Sequence, residues 1–125
     1  MANPNIVNVT SILGTTTYYT PSGTTAVVLL ANAASSGLVY KINQIVCANV
    51  NGSSAVNATV AINNAAAGAG TNFPVISTVS VPASASVIAV DKTTAIYLME
   101  NSSIVVTSGT SSGITYTLSY ESIAA

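Results

Sequence analysis

Apolar and polar residues alternate with a period of two through much of the chain. In Ile114–Tyr120, Ile114, Tyr116, Leu118 and Tyr120 fall on one parity, and Thr115, Thr117 and Ser119 fall on the other. That is the signature of a half-buried strand. Val56–Ile62 repeats it, with Val56, Ala58, Val60 and Ile62 facing in and Asn57, Thr59 and Ala61 facing out. Leu38–Val50 is longer and less regular. Leu38, Tyr40, Ile42, Val46 and Val50 share a parity, while Lys41, Asn43 and Asn49 take the other. Asn51-Gly52 follows at once, a tight-turn pair, so Leu38–Val50 and Val56–Ile62 are expected to form a hairpin around Asn51–Ala55. Weaker strands are predicted at Ile6–Ile12, Thr25–Ala31, Val75–Val81, Ser86–Val90, Ala95–Met99 and Ser103–Thr107.

The separators are rich in Gly, Pro, Ser and Asn, notably Tyr19–Gly23, Ala33–Gly37, Ala65–Pro74, Glu100–Ser102 and Ser108–Gly113. No helical period persists beyond about two turns. Eight or nine short strands in this rhythm imply one all-β domain over residues 1–125. The expected architecture is an antiparallel β-sandwich, jelly-roll or immunoglobulin-like. The paired cysteines and buried Trp of true immunoglobulin domains are missing, so only the architecture is expected.

Charge changes the picture most. Lys41, Lys92, Asp91, Glu100 and Glu121 are the whole charged inventory, 4% of the chain against about 25% in an average soluble protein. The longest apolar run, Ala26–Ala31, is far too short for a membrane helix, which needs about 20 residues. The opening Met1–Asn5 has neither a basic nor an apolar signal region, so synthesis in a cytoplasm is expected. The sequons at Asn8, Asn51, Asn57 and Asn101 follow from the abundance of Asn, Ser and Thr. No membrane partner is expected. Two lysines cannot supply a basic footprint, so nucleic acid is not an expected partner either.

Without His, neither a Ser–His–Asp nor a Cys–His system can be built within the chain. Lys41 and Lys92 read as surface charges rather than catalytic bases. Cys47 reads as a small, half-buried hydrophobe, and one thiol forms no disulfide within the chain and no zinc site. Asp91, Glu100 and Glu121 lie on or near different strands and lack the spacing of a calcium loop. No enzyme, cofactor or metal is expected. Tyr40, Tyr97, Tyr116 and Tyr120 read as core or sheet-face residues, and Tyr18-Tyr19 as an exposed pair before the Pro21 turn.

Uncharged, β-branched strand edges left open to water invite aggregation, and natural proteins blunt them with charge. This chain has almost none, so its edges are expected to be covered in an assembly, a cyclic trimer or higher. Residues 1–13 offer an N-terminal arm able to add to a neighbour's sheet; an ordinary first strand fits the same residues. The candidate contact residues are Ile6, Val7, Val9, Ile12, Tyr18 and Tyr19.

Two stretches carry a resemblance. The opening Ala2-Asn3-Pro4-Asn5-Ile6-Val7-Asn8-Val9-Thr10-Ser11-Ile12 resembles the start of small virion structural proteins of tailed phages infecting marine cyanobacteria. The later string of Val81-Pro82-Ala83, Asp91-Lys92, Ile96-Tyr97-Leu98, Ser103–Thr107 and Leu118-Ser119-Tyr120-Glu121 resembles them too, although Met99 stands where that family often has an acidic residue. The resemblance spans nearly the whole chain. It implies a structural role in a virion, with copies of itself and a major capsid protein or tail proteins as partners. A capsid decoration (cement) protein is the first expectation, and a tail, baseplate or fibre-associated protein the second. A host-receptor module binding glycans through Tyr18 or Tyr19 is the third.

Overall fold

The computed structural model describes residues 4–125, which form nine strands and one 3-10 turn. The strands are β1 (Ser11–Tyr19), β2 (Val27–Asn32), β3 (Leu38–Asn49), β4 (Val56–Asn63), β5 (Asn72–Val81), β6 (Ser86–Val90), β7 (Ile96–Leu98), β8 (Ser102–Ser108) and β9 (Ile114–Ala124). One sheet runs β1-β9-β3-β6, and the other runs β2-β8-β4-β5. Every pair is antiparallel. β6 pairs with Ile45–Ala48 and β7 with Tyr40–Ile42, so the two lie in line along β3 with the Lys92–Thr94 turn between them. Taken as one interrupted strand, they leave eight strands in the orders 1-8-3-6 and 2-7-4-5. This is a jelly roll, two four-stranded sheets formed by winding a long hairpin around itself. An immunoglobulin-like sandwich would place its first two strands side by side, whereas β1 and β2 lie in opposite sheets.

The strands predicted from alternation stand nearly where expected, with β9 running on to Ala124. Two expectations are corrected. The hairpin around Asn51–Ala55 does not form, because β3 and β4 belong to different sheets and the chain crosses the sandwich between them. The inward side chains of both strands thereby meet across the core. The first strand is Ser11–Tyr19 rather than Ile6–Ile12, and residues 5–8 make a turn in which the Asn8 amide donates to the Asn5 carbonyl.

The irregular alternation of β3 has a local cause. Its pairing with β9 slips between Ile42 and Gln44, a bulge that reverses the parity. Ile42 is inward before it; Ile45, Cys47 and Asn49 are buried after it, and Val46 and Val50 turn outward. The core joins these residues to Val60, Ile104 and Val106 of the opposite sheet and to Ile114, Tyr116 and Leu118 of β9. Tyr116 is fully buried and spans the sandwich. Its hydroxyl donates to the Thr107 carbonyl on β8 at 2.5 Å and accepts the Thr59 amide of β4 at 3.3 Å.

Three buried asparagines end three successive strands. Asn32 closes β2, donating through Nδ2 to the carbonyls of Leu38 (2.9 Å) and Leu98 (3.0 Å). Asn49 closes β3, donating to Ser54 and Val81 and accepting the Asn51 amide at 2.8 Å. Asn63 closes β4, donating to the Gly68 carbonyl and accepting the Ala65 and Gly70 amides, both at 3.0 Å. These carboxamides satisfy backbone groups that the crossing turns would otherwise bury unpaired.

Replacing Tyr116 by Phe keeps the ring and strands the Thr107 carbonyl and Thr59 amide. The expected cost is about 1–3 kcal/mol, read as a lower urea midpoint with unchanged slope. An unchanged midpoint would show that the hydroxyl does not tie the sheets together.

Candidate functional site

The two outer faces of the sandwich differ. The β2-β8-β4-β5 face is partly roofed by the 64–71 loop. There the Ser103 hydroxyl donates to the Ala65 carbonyl, and Gly68 lies against Val28 and Val105. Gly68 has φ +75°, and a Cβ on it would sit 2.8 Å from a Val28 methyl, so only glycine fits. The opposite face is open over most of its area.

That open face is ordered in rows across β1, β9 and β3. Ile12 aligns with Ile123 and Val39, Gly14 with Glu121 and Lys41, Thr16 with Ser119 and Gln44, and Tyr18 with Thr117 and Val46. Thr16 and Ser119 share a hydroxyl hydrogen bond at 3.2 Å. Val39 and Ile123 are outward-facing yet buried. Beside them lies an apolar groove of about 390 Å³, lined by Pro4, Ile6, Val39, Tyr97 and Met99. The N-terminal segment is thus folded back along the end of this sheet.

The candidate contact residues separate into two groups. Ile12, Tyr18 and Tyr19 belong to β1 and are 51%, 73% and 45% exposed. Ile12 and Tyr18 share the outer face, while Tyr19 shares the inner parity with Leu13, itself 62% exposed. Ile6, Val7 and Val9 lie ahead of the strand: Ile6 in the groove, Val7 almost wholly exposed on the turn, Val9 half-buried. Of the arm expected over residues 1–13, positions 1–3 lie outside the described residues and 11–13 are part of β1. Leu13, Tyr97, Met99 and Ile88 are exposed apolar residues that the alternation did not single out.

Among the described residues β1 is bonded on one side only, to β9, in an unbroken register from Ser11 to Tyr19. The other edges are interrupted. β5 carries Pro74, two register shifts against β4 and a left-handed Thr78 at φ 47°. β2 has six residues and a register shift. The β6–β7 edge is broken by the 3-10 turn, where Asp91 accepts the Thr93 and Thr94 amides. β1 has none of these devices and no charged side chain.

Glu121 lies across from Lys41, but the three carboxylates do not converge. No group of three His, Cys, Asp or Glu among the described residues could hold a metal. Glu121 accepts the Asn43 carboxamide at 2.9 Å. The Thr93 hydroxyl and amide, with Thr94 behind them, hold the Asp91 carboxyl below its ordinary range. Both oxygens of Glu100 are shut off from water, with no hydrogen-bond partner among the described residues. Cys47 is buried, and burial pushes its thiol up to about 12; burial raises the Tyr116 phenol as well. A thiol held neutral in this way is not a nucleophile. No protein-family model, curated protein or solved structure matches the chain.

Because the folded state holds the Cys47 proton more tightly than the unfolded state does, stability is full below about pH 8.5. It then declines toward pH 12 at about 1.4 kcal/mol per unit for that one proton. Cys47→Ala removes this slope and leaves only the tyrosine part above about pH 10, measurable by urea denaturation across the alkaline range. Glu100→Gln relieves a buried carboxylate of its charge. It should raise the unfolding free energy by about 1–3 kcal/mol; a lower melting temperature would show that Glu100 has a stabilising partner.

Proposed function

We propose that the chain is a non-enzymatic structural protein of a phage particle, and that it acts as a capsid decoration protein reinforcing the head lattice. The observation that carries this reading is the long, uninterrupted, uncharged edge of β1 beside an open outer face. Such an edge is a liability for a free monomer and an asset for a subunit built into a larger surface. The resemblance to small virion proteins of cyanobacterial phages, carried by Ala2–Ile12 and the strings after Val81, supports the same role.

A chain with five charged side chains in 125 residues makes contacts that salt can hardly screen. Attachment to the lattice is then governed by apolar area and backbone hydrogen bonds. A module of this kind keeps its hold in seawater as in dilute buffer.

Immunogold labelling of intact particles tests the location. Gold spread over the head is the expected result. Gold confined to the tail or its tip would move the role to tail, baseplate or fibre, and gold on no particle, with a working antibody, would overturn the virion reading. Heads washed in salt from about 0.05 to 1 M should retain the protein throughout, whereas release at one end of that range would point to charge-mediated attachment.

A further inference from the structure

Among the described residues, β1 alone of the sandwich's edges offers a continuous row of unpaired backbone groups, about 30 Å long at 3.4 Å per residue. Only an extended strand can satisfy such a row, so the occupant is a strand rather than a helix, a loop or a small molecule.

We infer that the occupant is β1 of a second copy, paired antiparallel about a two-fold axis through Thr15. The sequence of β1 is self-complementary in that register. Ser11 meets the second copy's Tyr19, Ile12 meets Tyr18, Leu13 meets Thr17, Gly14 meets Thr16, and Thr15 meets Thr15. On the outer face the two-fold sets each Ile12, 51% exposed, beside a Tyr18, 73% exposed. A β-branched residue opposite an aromatic one is among the favourable cross-strand pairs. Leu13, 62% exposed on the other parity, packs beside Thr17. No like charges oppose each other, because β1 has none.

The size of the contact sets its strength. A strand edge about 30 Å long and roughly 10–15 Å deep buries about 300–450 Å² per partner, against the roughly 800 Å² of a standard stable interface. The pairing is therefore a reversible association of the free protein, reinforced when copies are concentrated on a surface. An isologous contact of this kind closes after two copies, unlike the cyclic trimer or higher order expected from the sequence. The inference goes beyond the proposed virion role and concerns purified protein alone, so it stands or falls separately from the gold labelling.

Cysteine scanning of the edge reads the register directly. Across the two-fold, the Thr15 Cα atoms lie about 4.5–5.5 Å apart, inside the span of a disulfide. Thr15→Cys should give a covalent dimer under mild oxidation, several-fold more than Leu13→Cys, whose own copies lie about 14 Å apart. Mixing Leu13→Cys with Thr17→Cys protein should restore the link as a heterodimer. The native Cys47 is buried and takes no part. Equal yields at all positions, strong linking of Leu13→Cys alone, or no linking at Thr15 would overturn the inference. So would a Thr15→Cys protein that links only to another virion protein on particles. Should Thr15→Cys fail to fold, sedimentation decides. Dimer that grows with concentration in the wild type and disappears in Thr15→Lys supports the pairing, and a wild type monomeric at every concentration refutes it.

Discussion

The shape of this sandwich depends on neutral hydrogen bonding at the ends of its strands. A jelly roll crosses between sheets at nearly every turn, and each crossing takes backbone carbonyls and amides away from strand partners. Asn32, Asn49 and Asn63 supply the missing partners from the last position of β2, β3 and β4. A carboxamide is suited to the task because it donates twice and accepts at the same site. Asn49 reaches both the turn after its own strand and the end of β5, so one side chain holds two neighbouring crossings. With the ends fixed, the core needs only apolar residues and the Tyr116 strut to keep the sheets in register.

The same economy of charge shapes the outside. Lysines and carboxylates usually protect strand edges, and here proline, bulges, a left-handed threonine and a 3-10 turn do so on β2, β5 and the β6–β7 edge. These devices act through backbone geometry. Their absence from β1 distinguishes an edge kept open from edges kept closed, and the exposed Ile12, Leu13, Tyr18 and Tyr19 lie along that open edge.

The sandwich was legible in the sequence wherever one face of a strand is buried and the other is wet. Ile114–Tyr120 shows it plainly, and so does Val56–Val60, although Ala61, expected to face out, is buried. β1 was not legible for the same reason in reverse: burying neither face, Ser11–Tyr19 has no alternation, and its three threonines and two tyrosines signalled only β propensity. The bulge after Ile42 hid the true parity of β3, so Cys47 and Asn49 were not recognised as fully inward. Asn51-Gly52 marked a turn correctly but not which sheet the chain would enter next, since a crossing and a hairpin begin with the same residues. The place of Tyr18 and Tyr19 before Pro21 marks them as exposed, whereas nothing marks Leu13, because Gly14 and Thr15–Thr17 beyond it show no alternation.

The open outer face has a consequence for how such a protein can change over generations. Apart from Val39 and Ile123 at one end, the side chains there contribute little to the core. The turns and the interior are specified by residues that point elsewhere. Thr16, Gln44, Ser119 and Tyr97 can therefore drift with little penalty to folding. Lineages could re-address the module to new neighbours by altering that plane alone, while the asparagine-locked frame behind it stays constant.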